Sequence, residues 1–204
     1  MTPTGRNAFA VLRGLTRQRG PEERCDLCGA GLTPQHVHLI EPAGRRLHCC
    51  CDACAVLFDN PQNARYRLAR PRVQHLPDFR LTDEQWDALR IPIDLAFFFR
   101  SSAEDRVVAV YPSPAGPIES LLTLEAWRRL EDANPVLREL APDVEALLVH
   151  RVGRTREHFL ASIDECYKLV GLIRTHWRGL SGGTELWREI NGFFAGLSAR
   201  ADHA

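Results

Sequence analysis

The amino-acid sequence predicts an α+β fold in which a small N-terminal module precedes an antiparallel sheet with helices packed on it. Three observations support this prediction. Six of the seven cysteines are clustered near the N-terminus, short apolar runs separated by turn residues follow them, and two long amphipathic helical patterns come last. We expect a flexible N-terminal tail, the cysteine-rich module, an α+β domain and a short C-terminal tail over residues 1–24, 25–60, 61–200 and 201–204.

Composition and charge narrow the class of protein. Of the 204 residues, 45% are hydrophobic and 25% are charged, which is typical of a globular chain. The net charge is zero, so the sequence lacks the basic excess of a dedicated nucleic-acid-binding protein. No apolar run approaches the roughly 18 residues of a membrane span. Arg13 interrupts the apolar stretch over residues 8–12, so we expect no export signal and a cytoplasmic location, where clustered cysteines are more often metal ligands than disulfides.

Four cysteines form two Cys-x-x-Cys pairs, Cys25 with Cys28 and Cys51 with Cys54, separated by 22 residues. Each pair can aim two sulfurs at one ion from a single turn, so this spacing predicts one tetrahedral, structural Zn²⁺. Gly29 follows Cys28 directly, as a zinc knuckle with positive φ would require. A module of roughly 35 residues cannot bury enough apolar surface to fold alone, whereas structural zinc contributes on the order of 10 kcal/mol. We therefore expect folding of the module to require the metal.

The order of elements around these pairs resembles a treble-clef zinc finger. The first pair precedes two predicted strands, over residues 36–40 and 45–50, and the second pair opens a helix. We expect the positive end of that helix to stabilise the thiolates, and Arg24, Arg45 and Arg46 to offset part of their charge. Four thiolates also suit iron. A rubredoxin-like site usually has a glycine-bearing knuckle in both pairs, so we favour zinc.

The same segment holds surplus metal-ligating side chains. In the predicted strands, His36 and His38 share a face, as do Cys49 and Cys51, while Cys50 points to the other face. His36, His38 and Cys49 are candidates for an auxiliary metal site, a metal-transfer site or a thiol redox switch. Alternatively, Cys49 and Cys50 are small hydrophobic residues and the histidines lie on a strand surface. The sequence leaves both interpretations open.

The α+β domain contains alternating strand and helix signals. Thr82 and Ser162 begin capping boxes, Thr123 caps a further helix, and a last helix begins near Thr184. The simplest assembly is a sheet with its helices on one side. We expect a loop over residues 112–117 and strands over 65–69, 93–100, 106–111, 145–152 and 156–161.

Possible catalytic patterns have structural explanations. The segment 179–183 matches G-x-S-x-G, but a helix precedes it instead of a strand, and only the last few residues remain downstream for an acid and a histidine. Cys166 falls on an apolar helix face, as expected of a core cysteine. His150 and His158 would be cross-strand neighbours if their hairpin loop is three residues long, and such a pair can bind metal. We assign no catalytic residue and favour a protein that is not an enzyme.

Several strings carry a family resemblance, among them CDLCG, RRLHCCCDACAVLF, IPIDLAFFFRSS and YKLVGLIRTHWRGLSGG. From Cys25 to the last helix, the chain resembles an uncharacterised family of bacterial proteins of similar length, often encoded beside genes for nickel–iron hydrogenases. The resemblance implies an accessory or maturation role around a hydrogenase and supplies no catalytic residue. The family pattern has sulfur at Cys49, Cys51 and Cys54, which makes Cys50 the bystander and strengthens the case for Cys49.

These observations lead to three hypotheses. The first is a cytoplasmic, zinc-binding accessory or assembly protein that contacts a protein partner, such as a hydrogenase subunit or maturation factor. The second is a metal- or thiol-redox-handling factor that uses Cys49, His36 or His38. The third, a nucleic-acid-binding treble clef, is the weakest, because a neutral chain attracts phosphates little.

Overall fold

A computed structural model describes residues 23–59, 65–120, 123–179 and 182–203. These residues form an α+β fold with two sheets, which confirms the predicted fold class. The N-terminal module contains, in chain order, β1 (Val37–Glu41), β2 (Arg46–Cys50), α1 (Asp52–Phe58) and β3 (Arg67–Ala69). Its sheet has the order β2-β1-β3, with both pairs antiparallel.

The second sheet is larger and has seven strands among the described residues. The elements that follow the module are β4 (Val73–His75), α2 (Asp83–Ala88), β5 (Leu95–Ser101), β6 (Arg106–Ser113), β7 (Gly116–Ser120), α3 (Leu124–Ala133), the 3₁₀ helix η1 (Pro135–Glu139), β8 (Glu145–His150), β9 (Glu157–Ser162), α4 (Ile163–His176), α5 (Gly183–Arg200) and β10 (Asp202–His203). The strand order is β10-β4-β9-β8-β5-β6-β7. The pairs are antiparallel except that β10 runs parallel to β4.

The central strands are apolar on both faces, so the larger sheet is covered on both sides. In β5, Leu95, Phe97 and Phe99 face one core, whereas Ala96 and Phe98 face the other. Helices α4 and α5 cover the first face, and α2, α3 and η1 cover the second. The prediction of helices on one side was therefore wrong. The uninterrupted apolar run of β5 explains the difference, because a strand with one solvated face alternates apolar and polar residues.

The helix caps agree with the sequence at some positions and differ at one. The Thr82 side chain accepts a hydrogen bond from the Gln85 amide at 3.1 Å, and the Gln85 side chain accepts one from the Thr82 amide at 2.9 Å, which confirms the capping box of α2. Ser162 is the N-cap of α4 but makes no capping bond through its side chain, so the second predicted capping box was wrong. The Glu165 carboxylate binds Arg200 instead, at 3.2 Å.

None of the helices within the described ranges combines the length and the apolarity needed to cross a membrane.

Residues 112–117, predicted as a loop, form a tight hairpin in which Pro112 of β6 lies opposite Pro117 of β7. Gly116 has φ +123, a conformation that favours glycine. The pairing between β6 and β5 ends at Val110, so the missing amide proton of Pro112 removes no bond to β5. Strand β7 is at the sheet edge, where proline is tolerated.

The N-terminal module packs against the α4 side of the larger sheet. Leu47 and the buried Ala69 contribute to the core on that side. Arg45, in the turn between β1 and β2, forms ion pairs with Glu104 and with Glu119, the latter at 2.8 Å. Strand β3 joins the module's sheet from beyond residue 60, and the division into domains at that residue stays a prediction.

Candidate metal centre

The first cysteine pair lies in a tight turn. The Gly29 amide donates to the Cys25 carbonyl oxygen at 2.8 Å, and the Cys25 amide donates to the Ala30 carbonyl oxygen at 2.8 Å. Gly29 has φ +76, the left-handed conformation expected of a zinc knuckle. Cys25 is buried, whereas Cys28 is exposed at the rim of the turn.

The second pair lies at the junction between strand β2 and helix α1. Cys51 is the N-cap of the helix, with φ −78 and ψ 160, and its carbonyl oxygen accepts from the Ala55 amide at 2.9 Å. Cys54 is buried on the inner side of the same short helix. The knuckle, the hairpin and the helix follow one another in the predicted order, and the likeness to a treble clef stays a prediction. This order brings the second pair of sulfurs to the first.

The sulfurs of Cys25, Cys28, Cys51 and Cys54 lie within 4.8 Å of one another. The distance between Sγ of Cys28 and Sγ of Cys51 is 3.7 Å. Zinc–sulfur bonds of about 2.3 Å in a tetrahedral site place the sulfurs about 3.8 Å apart. All four cysteines are free of disulfides. The four residues therefore fit a metal ion such as zinc, and the preference for zinc over iron stays a prediction.

The electrostatics of this cluster favour a bound cation. Burial raises the pKa of Cys25, but backbone hydrogen bonds, the largest from Cys51, outweigh burial and lower this pKa to about 6. Burial raises the pKa of Cys54, and the neighbouring cysteines raise it further. Thiolates this close together repel one another, so a cation between them lets all four ionise.

The arginines expected near the thiolates lie in different places. Arg24 stays at the knuckle, where Nη1 donates to the Gly29 carbonyl oxygen at 3.1 Å. Arg45 and Arg46 lie at the turn of the β1–β2 hairpin, at the opposite end of the strands from Cys50. The prediction that these two offset the thiolate charge was therefore wrong. The hairpin carries both away from the sulfurs.

Three of the surplus ligands form a second cluster. The ligand atoms of His36, His38 and Cys49 lie within 4.8 Å of one another. The register of β1 and β2 places His38 opposite Cys49, and the two imidazole centroids are 4.8 Å apart. Cys51, expected on the same face as Cys49, belongs to the other cluster, because strand β2 ends at Cys50 and α1 begins.

A carboxylate lies near the Nδ1 atom of each histidine. Nδ1 of His38 is 3.2 Å from Oδ2 of Asp164, and Nδ1 of His36 is 3.6 Å from Oε2 of Glu23. Burial raises the pKa of Asp164, but its hydrogen bonds, the largest from His38, hold this pKa well below its usual range. Asp164 lies in the first turn of helix α4, where an acidic residue is ordinary. No local pattern indicated its contact with His38, because the two residues are far apart in the chain.

Cys50 is separate from both clusters. It is buried in the core of the module, and its thiol donates to the carbonyl oxygen of Val37 at 3.3 Å. Burial is the main reason that the pKa of Cys50 rises to about 12. Cys50 is thus a neutral, packed thiol, as the bystander interpretation expects. Burial, with the nearby Asp26 carboxylate, also raises the pKa of Cys49.

The remaining candidates have structural roles. Cys166 is fully buried in the core beneath α4, and burial raises its pKa well above the usual range. His150 lies opposite Glu157, at 3.0 Å, so the expected pairing with His158 was wrong. The connection between these strands is longer than three residues, which shifts the register. The middle of the G-x-S-x-G segment, residues 180–181, lies outside the described residues.

Comparisons with known proteins identify a family. No curated protein and no solved structure matches the chain. A family model matches residues 24–201, a range that includes both cysteine clusters and both cores of the larger sheet. The chain therefore belongs to DUF5947, a family of unknown function.

Proposed function

We propose that the protein is a non-enzymatic accessory protein whose metal-bound module presents an apolar helix face to a protein partner. One observation carries this proposal. Val56 and Leu57, adjacent on α1, are 82% and 69% exposed. Large apolar side chains that stand side by side on a surface are typical of protein contacts, where a few such residues supply most of the binding energy.

The metal would fix this surface in place. Helix α1 has seven residues, too few for a stable isolated helix. A bound ion would tie Cys51 and Cys54, at the first turn, to the first cysteine pair. Cys54 and Ala55 are the buried side chains of the helix. Val56 and Leu57 lie on the opposite side. A rigid apolar face costs less entropy to bind than a mobile one, which favours recognition.

The chemistry of the other candidates supports a role outside catalysis. A thiol nucleophile needs exposure and a lowered pKa, whereas Cys166 is buried and its pKa is raised. His150 is held by Glu157 and stacks on the ring of Phe194, with centroids 4.0 Å apart. These side chains serve the packing of the larger sheet.

The first partner to test is a nickel–iron hydrogenase subunit or one of its maturation factors. This choice rests on the resemblance described from the sequence, in which members of the family are encoded beside hydrogenase genes. A cytoplasmic location agrees with seven free cysteines, which an oxidising compartment would tend to pair. The net charge of zero makes nucleic acid a poor candidate partner.

Binding of the purified, zinc-loaded chain to purified hydrogenase subunits and maturation factors tests the proposal. We expect saturable binding that weakens at least about tenfold in the double variant Val56→Glu, Leu57→Glu, which corresponds to roughly 1.4 kcal/mol. Ile118→Glu is the matched control, because Ile118 is also a partly exposed apolar residue but lies on β7. Zinc content and circular dichroism must be unchanged in both variants.

Three results would contradict the proposal. Equal binding by the double variant and the control would remove α1 from the contact surface. Failure to bind any hydrogenase component would reject this choice of partner. Turnover of a substrate by the purified protein would overturn its non-enzymatic character.

A further inference from the structure

We propose that His36, His38 and Cys49 form a second metal site, separate from the four-cysteine cluster, that takes one divalent transition-metal ion such as Zn²⁺, Co²⁺ or Ni²⁺. The site lies between the N-terminal module and helix α4 of the larger domain. This inference does not rest on the proposed function, because it concerns ion binding alone.

The backbone places the three ligands together. His38 and Cys49 are register partners in an antiparallel pair, so their side chains leave the sheet on the same face, with Cβ atoms about 5 Å apart. His36 precedes His38 by two residues, which puts it on that face as well. The ligand atoms of all three lie within 4.8 Å of one another.

The hydrogen bonds of the two imidazoles leave the same nitrogen available on each ring. Nδ1 of His36 lies 3.0 Å from the Thr33 carbonyl oxygen, an acceptor that requires the proton on Nδ1. Nδ1 of His38 lies 3.2 Å from the Asp164 carboxylate. Nε2 is then the ligand atom of both rings. A metal-bound histidine almost always donates its other N–H to a carbonyl or carboxylate in this way.

A buried nitrogen without a partner points to a missing ligand. The His36 side chain is only 9% exposed. Its Nε2 atom is buried and has no hydrogen-bond partner. Leaving a polar atom unpaired inside a protein costs roughly 1–3 kcal/mol. An ion shared with His38 and Cys49 would satisfy this nitrogen.

The surrounding charge also favours a cation. Glu23 is 3.6 Å from the His36 ring, and a carboxylate oxygen of Asp26 accepts from the Cys49 amide at 2.8 Å. Asp164 lies in the first turn of α4 and is itself nearly buried. Asp164 belongs to the larger domain. An ion at this site would therefore make the docking of the module on that domain depend on whether the site holds metal.

The donor set indicates the class of ion and its behaviour. Two imidazoles and one thiolate suit zinc, cobalt and nickel, and they do not suit magnesium or calcium, which prefer oxygen ligands. Three protein ligands leave a fourth tetrahedral position for water or an exogenous ligand, as in sites that exchange or activate what they bind. The four-cysteine cluster, by contrast, is closed.

Cobalt titration of the full chain tests the site. The chain is first loaded with one equivalent of Zn²⁺ to fill the four-cysteine cluster and is then titrated with Co²⁺. We expect one further equivalent to bind, with thiolate-to-cobalt charge-transfer absorption, and native mass spectrometry to show one zinc plus one cobalt. Cys49→Ala and His38→Ala should each lose the cobalt and keep the zinc.

Two further variants make the assignment specific. Cys50→Ala is the matched control, since it removes a neighbouring sulfur that faces the module core, and it should bind cobalt as the wild type does. Asp164→Asn keeps the ligands but weakens the support of His38, so cobalt affinity should fall about 10- to 100-fold. Three results would overturn the proposal: no second equivalent, cobalt that replaces zinc instead of adding to it, or uptake that is unchanged in Cys49→Ala and His38→Ala.

Discussion

The N-terminal module and the larger domain hold their folds by different means. Both cores of the larger sheet contain large side chains that are almost completely buried, such as Phe97 and Phe98. In the described part of the module, the cluster of buried residues consists of Leu39, Cys25, Cys50, Cys54 and Ala55, of which Leu39 is the one large aliphatic side chain. Of these residues, Cys25 and Cys54 belong to the four-cysteine cluster, so a bound metal ion would add stability that this small apolar cluster does not supply. The contrast is the one expected where a metal site takes the place of an apolar core in a small unit.

Removal of the metal should give the largest difference in stability between the two regions. We expect Cys51→Ser or Cys25→Ser to release the metal and unfold the module, since structural zinc contributes on the order of 10 kcal/mol. The larger domain should stay folded, because its two cores contain no metal ligand. Hydrogen exchange read by mass spectrometry measures both regions, with fast exchange expected in β1 and β2 and slow exchange in β8 and β9.

A strong chelator applied to the wild type is the companion measurement and should give the same pattern without a substitution. Full zinc occupancy in both serine variants would contradict the assigned ligand set. Protected amides in β1 and β2 after complete metal removal would show that the module folds on apolar contacts after all.

The reverse test removes core volume from the larger domain. Phe98→Ala should lower the free energy of unfolding of that domain by about 3–5 kcal/mol, because Phe98 is fully buried in the central strand and stacks on Trp127. The zinc content should not change. Urea denaturation followed by tryptophan fluorescence gives the stability, and Ile118→Ala on the sheet edge, with a change within about 1 kcal/mol, is the control. Zinc loss in Phe98→Ala would show that the regions are not independent.

The same contrast explains how much of the fold could be predicted. Local rules were enough for the hairpin of β1 and β2 and for the capping box at Thr82, since turn residues and caps act over a few positions. The placement of helices on both faces was missed, although the run from Leu95 to Phe99 carried the signal in its lack of alternation. The pairing of β3 with β1 is set by packing between distant segments, and no local pattern encodes it.

For the candidate site, spacing indicated the four cysteines, because a Cys-x-x-Cys turn is a local device. Strand alternation also grouped His36 with His38. It misplaced Cys51, since alternation ends where a helix begins. Asp164 could not be found from sequence, because its contact with His38 depends on how the module docks on α4.

Acid should lower the stability of the larger domain by a smaller amount than the core substitution does. Burial, assisted by the charge of Arg151, lowers the pKa of His158 to about 4. Below the unfolded pKa of about 6.5, the unfolded chain takes up a proton that the folded domain excludes until about pH 4, so stability is present above 6.5 and is lost as pH falls. We expect a loss of about 2 kcal/mol from this group between about pH 7 and about pH 5.

His158→Phe isolates this contribution, because the new ring can keep the stacking on Phe79. Urea denaturation of the larger domain should show a shallower dependence on pH in this variant, while the pH at which zinc is released should match the wild type. Identical pH dependence in both proteins would remove His158 as a source of acid sensitivity.

The contact between the two regions should give the smallest effect. Arg45 joins the module to Glu119 at 2.8 Å, and both side chains are partly exposed. Water and salt screen such a pair, so a double-mutant cycle of Arg45→Ala and Glu119→Gln should give a coupling of about 0.5–1 kcal/mol that shrinks at high salt. Thermal unfolding of the zinc-loaded protein measures it. A coupling near zero would assign the docking to the apolar contacts of Leu47 and Ala69. A large coupling that salt does not change would mean that the ion pair excludes solvent more than the exposure of its side chains indicates.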